Sequence, residues 1–478
     1  MLFFALFAAC KEPVTTVVEA EDAALTLALV NPTSCSSCDA FAGLDQLRID
    51  VLRRGVVVVS ESFPWPGEAM SLPGLDGLGV VAIEVRGIGD GAVLSFGRSP
   101  EVALAPGATL DVAVAFLPVN RALPLTESMV EVRARHASFT LRDGRVLLAG
   151  GLSRTGPPTA GVEVFDPALG TFADAGLVLP AAVAAPTTAE VARGERFLIG
   201  GTAGRGDGGE VASAEVVLFD EEAWSFATQD PMEATRSGHC TSVVSDTQII
   251  TFGGHDLALP RGDFLRWDDS VEAWKMASIM VEDFDDRVVA GCGPLADGRT
   301  LVLGTSAAST GIWSYTEATV GTVDPTLAFL PTPPDDPGAA AAFVAGPSMI
   351  GLADGDAWIG GGVDPRTGQS ADTARELRAA TIRFDPADAQ PSPRAWGVLR
   401  RLDDAGRVVW GCGWRDLDRS LPAASLQVFD VETGSVGELI QLAEARAGCE
   451  LSVLPGGAVL VTGGAEAPTA EIVMPYWE

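Results

Sequence analysis

Three histidines, two tyrosines and seven cysteines are the residues of this chain best suited to metal, radical or redox chemistry. His239 and His255, with Asp256 beside the second, could begin a metal site. Such a site needs three or four ligands at set geometry, so structural histidines bonded to loop backbone are the expectation. Cys35-Ser-Ser-Cys38 has the spacing of a redox or zinc motif. A redox pair wants a helix start, and zinc wants a second pair; neither is present. In this polar, loop-like stretch a local disulfide between Cys35 and Cys38 is expected. Acidic runs such as Glu282-Asp283-Phe284-Asp285-Asp286 lack the spaced ligands of a calcium loop and read as solvated loops. No Gly-x-Ser-x-Gly elbow and no phosphate-cradling glycine loop occurs. These residues point to no catalytic group, no metal and no cofactor.

The elements that hold them are set by a recurring phrase. An apolar run ends in glycine at Val146-Leu147-Leu148-Ala149-Gly150-Gly151, and again near Gly200, Gly253, Gly304, Gly361, Cys412 and Gly463. The steps between these positions are 50, 53, 51, 57, 51 and 51. A fixed period of this size marks a repeat architecture. A second marker, an aromatic followed by Asp, travels with it at Phe165-Asp166, Phe219-Asp220, Trp267-Asp268, Phe384-Asp385 and Phe429-Asp430. A third apolar residue follows at Phe172, Trp224, Trp274 and Val436. Asp143-Gly144, Asp297-Gly298 and Asp354-Gly355 supply hairpin turns ahead of the glycine phrase. Each unit therefore reads as four antiparallel strands in about fifty residues, one propeller blade.

The units resemble kelch repeats, in which a strand ends in Gly-Gly and is followed by an aromatic and a later Trp. The resemblance covers roughly residues 125 to 478 and implies an all-β fold, a seven-bladed kelch-like β-propeller. The seventh unit runs out after Met474, one strand short, so a strand from about residues 110–128 is expected to close it. Blade geometry places Cys412 near Cys449, and Cys240 and Cys292 at the starts of neighbouring first strands. Bridges and buried free thiols both fit. Among kelch proteins, galactose oxidase holds copper with tyrosines and histidines; Tyr315, Tyr476, His136, His239 and His255 form no such pattern.

In kelch-like propellers the loops joining strands two and three share a face with those joining blades. Here they carry Arg154, Arg205, Asp207, His255, Asp256, Arg261, Asp364, Arg366, Trp414, Arg415, Asp416, Asp418 and Arg419. Variable polar loops on a rigid ring suit binding, and Trp414 among charged residues is the leading anchor. Its alternative is packing against a neighbouring blade. Two Arg-Gly-Asp tripeptides, at 205–207 and 261–263, lie in the same set.

Residues 23–119 lack the phrase and read as short strands between Pro-Gly breaks, a small β-sandwich of immunoglobulin-like size. Met1 to Ala9 is apolar and Phe7-Ala8-Ala9-Cys10 resembles a bacterial lipobox, which implies export and a lipid on Cys10. Residues 11–22 then read as linker, and 120–478 as propeller. The net charge of −32 repels phosphate backbones and excludes nucleic acid as a partner. No apolar run after residue 10 reaches the eighteen or so needed to span a bilayer. The expectation is a non-enzymatic envelope protein, an outer-membrane lipoprotein facing the periplasm or the surface, whose loops bind a protein or a glycan. A carbohydrate-active enzyme on the same scaffold is the alternative.

Overall fold

The computed structural model describes residues 14–19, 24–33, 38–66, 72, 75, 78–105, 109–154, 156–206, 209–255, 261–280, 288–295, 300–305, 310–315, 327–330, 345–363, 370, 374–378, 380–381, 383–403, 406–416, 418–464 and 468–477. Among these, all regular structure is β-strand. Six four-stranded antiparallel sheets fall within residues 137–178, 187–228, 237–280, 288–330, 345–386 and 398–441, and a seventh has three of its strands within 450–473. They are called sheets one to seven below. Their first strands lie side by side in order, and the seventh returns to the first. That last seam is bonded: Thr140 Oγ1 donates to the Val453 carbonyl at 2.9 Å, and Ser452 Oγ to Ser138 Oγ at 2.9 Å. Sheet seven takes its fourth strand from upstream, where Ala122–Pro124 runs antiparallel to Ala470–Val473 with Leu123 opposite Ile472.

The recurring residues have physical tasks. Gly150 (φ 68°) lies under the carbonyl of Val183 at the start of sheet two, and a Cβ there would sit 2.5 Å from that oxygen. A Cβ on Gly361 would meet the Arg394 carbonyl at 2.1 Å. The glycine phrase is thus where one sheet passes beneath the next. The Asp after the aromatic closes the turn between strands three and four. Asp166 Oδ1 accepts from the Ala168 amide at 2.8 Å, and Asp430 Oδ1 from those of Glu432 and Thr433 at 2.8 and 2.9 Å. The aromatics meet across the same pair of strands, as Phe165 with Phe172 at 4.8 Å and Trp267 with Trp274 at 5.8 Å.

Four arginines are wholly buried just ahead of first strands: Arg133, Arg236, Arg394 and Arg446. Three reach a carboxylate on the third strand of their own sheet: Arg133 to Glu163 at 2.7 Å, Arg236 to Asp263 at 2.7 Å and Arg446 to Glu471 at 3.0 Å. Each also donates to the carbonyl of the first glycine of its phrase, at Gly150, Gly253 and Gly463. In sheet six Gln427 occupies the acid's register position, paired with Trp410; Arg394 donates to the Ser425 carbonyl and lies over the Trp410 ring.

Disulfides join Cys240 to Cys292 and Cys412 to Cys449, each bridging consecutive sheets. Of the open alternatives, bridges are therefore what the fold contains. Cys38 is buried and disulfide-bonded; Cys35 and Cys10 lie outside the described residues.

Ahead of the ring, one sheet holds Gln46–Arg53, Val56–Pro64, Gly79–Gly89, Ala92–Arg98 and Leu117–Pro118. A second holds Val14–Glu19, Ala24–Val30 and Thr109–Ala115. Leu27, Leu29, Val112 and Val114 of the second share one apolar cluster with Leu47, Ile49, Ile83 and Val85 of the first. Residues 14–19 are thus strand rather than the linker expected; Val14-Thr15-Thr16-Val17-Val18 is a β-branched run, which favours a pleated sheet. This unit leans on the ring. Asn120 exchanges two hydrogen bonds with the Tyr476 backbone, and the Phe96 and Tyr476 rings lie 5.4 Å apart.

Candidate functional site at the mouth of the ring

In six of the seven sheets a position two residues beyond the buried arginine site, at or just before the start of the first strand, has positive φ. It is Arg135 (56°), Ala185 (47°), Gly238 (65°), Gly346 (72°), Trp396 (51°) and Gly448 (65°). Amides at this position donate to the carbonyl of the preceding sheet: Arg135 to Gly448 at 2.6 Å, Ala185 to Arg135 at 2.6 Å, Trp396 to Gly346 at 2.7 Å. The result is a backbone collar around one end of the axis. Small residues fill most of it, so the long side chains of Arg135 and Trp396 stand out.

Both carry partners from the loops after the glycine phrases. In sheet two that loop is a hairpin, Thr202–Gly206 with Gly209–Ala212. Its Glu210 takes Arg135 through both oxygens, at 2.7 and 3.4 Å, and accepts from Thr202 Oγ1 at 3.0 Å. The Arg135 hydrogen bond is the main cause holding the Glu210 carboxyl below its usual range, and the Arg419 charge adds to it. In sheet six the loop is held by backbone pairing of Trp414 with Ala395, 2.8 Å in both directions. Asp416 turns inward. Its carboxylate accepts from the Ser420 hydroxyl, which lowers its pKa, and from the amides of Ser420 and Leu421. This presents Arg419, whose guanidinium lies 4.2 Å from the Trp396 ring centre. That indole also covers Gly346, where a Cβ would come within 2.6 Å of the ring. Surrounding loops, and then the Arg135 charge, lower the Arg419 pKa, with Glu210 opposing.

Of the residues expected from sequence, the fold gathers Trp414 (half-buried), Arg415 (exposed), Asp416 and Arg419 into one loop at this mouth. Asp416 is part of the loop's frame, because a carboxylate meeting this many donors is already satisfied. Arg154 is exposed on the sheet-one loop, and no contact among the described residues ties it to the mouth. Arg205 lies in the hairpin that forms the sheet-two loop, opposite Glu210 in its register, whereas Arg261 opens the third strand of sheet three, Arg261–Asp268, rather than a loop. His255 ends the strand Gln248–His255. Asp207, Asp256 and Arg366 lie outside the described residues. Arg135, Glu210 and Trp396 were missed. The partner of Arg135 is 75 residues away, and only the phase of the repeat could have flagged its position.

His136 and His239 are inter-sheet pins. His136 Nε2 lies 2.9 Å from Thr462 Oγ1; His239 Nε2 lies 2.7 Å from Thr187 Oγ1 and 3.0 Å from the Ile199 carbonyl. Burial, and then the neighbouring Arg133 or Arg236 charge, lowers their pKa values to about 3 and about 4. Both are neutral when folded and would take up a proton on unfolding near pH 6.5. Their stabilisation is complete above pH 6.5 and is lost as pH falls towards 4 and then 3. Thermal melts should show the transition temperature falling from pH 6.5 to 4.5, with a shallower slope in the His136→Asn, His239→Asn protein. An unchanged slope would remove the histidines as its source.

No family model matches the chain. It is 29% identical over 130 residues to human Kelch-like protein 34, covering 27% of this chain and 20% of that one. The chain thus matches only about a fifth of that relative's length. The fold is similar to that of a fungal alcohol oxidase of the AA5 family solved in complex with copper, with a TM-score of 0.53 and 14% identity, over 73% of this chain and 75% of that one. The match to the human protein suggests a kelch-repeat relationship, and the oxidase match shows the fold alone. A copper site does not fit the donors described. His136 and His239 belong to different sheets and are each bonded to threonine, and Tyr476 lies against Asn120 and Phe96.

Proposed function

We propose that the chain is a seven-bladed kelch-like β-propeller with a small β-sandwich at its front, and that it is a non-enzymatic binding protein. It is exported and held at the bacterial cell envelope by a lipid on Cys10, and its loop face takes a protein or a glycan. The observation that carries this reading is the mouth itself. A rigid backbone collar holds Arg135 and Trp396, and the loops of sheets two and six bring Glu210, Trp414, Arg415 and Arg419 beside them. Exposed Arg and Trp on a preformed scaffold are the side chains that dominate interfaces. The two inter-sheet disulfides support an oxidising compartment.

Capture from envelope extracts tests the reading. Wild type should recover a partner that the Trp414→Ala, Arg415→Ala protein loses by tenfold or so, the cost of about 1.4 kcal/mol at a hot spot. Equal recovery would remove this loop from the function. Mass spectrometry should find a lipid-modified Cys10 at the mature N-terminus, and an unmodified Cys10 would defeat the anchor.

A carbohydrate-active enzyme is the second reading. What favours it is an axial cavity of about 240 Å³ lined by Glu190, Arg400, Arg401 and the hydroxyls of Thr140, Thr188 and Ser452. Beside it Glu450 pairs with Arg400, and burial pushes its carboxyl up.

A further inference from the structure

We propose that the mouth of the ring recognises a sugar acid, a saccharide whose carboxylate is taken by Arg419 beside the Arg135–Glu210 pair. The inference rests on the binding reading above and narrows its ligand. Of the two carboxylates described here, Asp416 is taken up by its own loop and Glu210 by Arg135. Glu210 meets Arg135 through both oxygens, so the chain already contains the contact that a ligand carboxylate would make. Arg419 makes no ion pair among the described residues, yet it is near enough to feel the charges of both Arg135 and Glu210. Its guanidinium carbon lies over the Trp396 ring, 4.2 Å from the centroid. A cation held over a ring face by its carbon keeps N–H groups at its edges for other partners, and a guanidinium edge matches a carboxylate through two parallel bonds. The collar fixes Trp396, and the inward-turned Asp416 fixes the loop, so little ordering remains for binding to supply.

The overall charge decides between kinds of acid. With a net charge of −32, the protein repels an extended polyanion or an acidic peptide along most of its surface. A single carboxylate seated within the mouth feels mainly its contact arginines, because distant charges are screened beyond about 8 Å at physiological salt. The half-exposed Trp414, held beside Ala395 on the same face, offers the apolar platform that a pyranose ring needs.

The test is calorimetric titration of the full chain with trimers of galacturonate, glucuronate and mannuronate, each against its fully methyl-esterified form. At least one acid should bind tenfold or more tightly than its ester, as expected for a charge-assisted bidentate contact. Arg419→Ala should lose most of that difference at unchanged melting temperature, and Arg419→Lys should recover only part of it. Equal binding of acid and ester, or no binding of any acid, overturns the inference. So does binding of an oligoglutamate peptide in preference to every uronate. If a partner is still captured from extracts, and Arg419→Ala leaves that capture intact, the binding face stands and only the sugar acid falls.

Discussion

Leu123→Asp should open the ring. Leu123 is 1% exposed and lies opposite Ile472, in the strand that supplies the outer edge of sheet seven. It packs in one cluster with Leu460, Ile472 and Leu148, so it ties sheet seven to sheet one as well as completing the sheet. A carboxylate there has no partner, and the expected loss is more than about 4 kcal/mol. Leu123→Ala, which removes only bulk, should cost about 2–5 kcal/mol. Freeing the Ala470–Val473 edge should also promote association through unpaired backbone. Urea unfolding would read the first effect and sedimentation velocity the second. A loss below about 1 kcal/mol with a monomeric protein would show that this strand is dispensable.

The second large effect lies in the buried arginines. Arg446→Ala leaves Glu471 charged, 1% exposed and without its cation, at an expected cost of about 3–5 kcal/mol. Arg446→Lys should rescue little. The guanidinium bonds Glu471 with Nε while another nitrogen serves the carbonyls of Gly463 and Thr469, and a single ammonium cannot reproduce that fork. The Arg446→Val, Glu471→Val pair should recover much of the loss, because replacing both partners removes the stranded charge. The chain carries its own precedent in sheet two. Val183 takes the arginine position, its carbonyl accepting from Gly151 as that of Arg236 does from Gly201. Val217 takes the acid position, paired with Leu198 as Glu471 is with Val461. Chemical denaturation of the three variants would measure these differences. A single substitution as mild as the double one would contradict the role given to the pair.

What could be read from residues alone followed from local constraint. A glycine beneath a neighbouring carbonyl, an Asp closing a turn on its own backbone and an aromatic packing on the adjacent strand leave marks at fixed spacing. Periodicity exposes them. The shortness of the seventh unit is equally legible as one edge needing a partner, and Ala122–Pro124 occupies that edge. The buried arginines recur in phase with the glycines, three residues ahead of His136, His239, Gly397 and Cys449, but an arginine in sequence looks like surface. Only the paired acid on the third strand reveals the burial. The mouth was half legible. Its loop residues stand after the glycine phrase, while Arg135 and Trp396 are collar positions whose importance comes from the small residues around them. Pairing across sheets, as with Arg135 and Glu210, depends on ring geometry that no local pattern encodes. Val14–Glu19 was hidden for a different reason: a strand beside an apolar leader reads as linker unless its partner, Ala24–Val30, is seen.

The central claim is that the ring is a scaffold and its loop-side mouth is the working surface. Hydrogen exchange of the full chain, alone and with the partner recovered from envelope extracts, tests it most directly. The account predicts slowed exchange at 133–136, 395–397 and 412–424, with the turns at 141–145 and 352–356 on the opposite side unchanged. Protection confined to those turns, with the mouth exchanging as in the free protein, would contradict it.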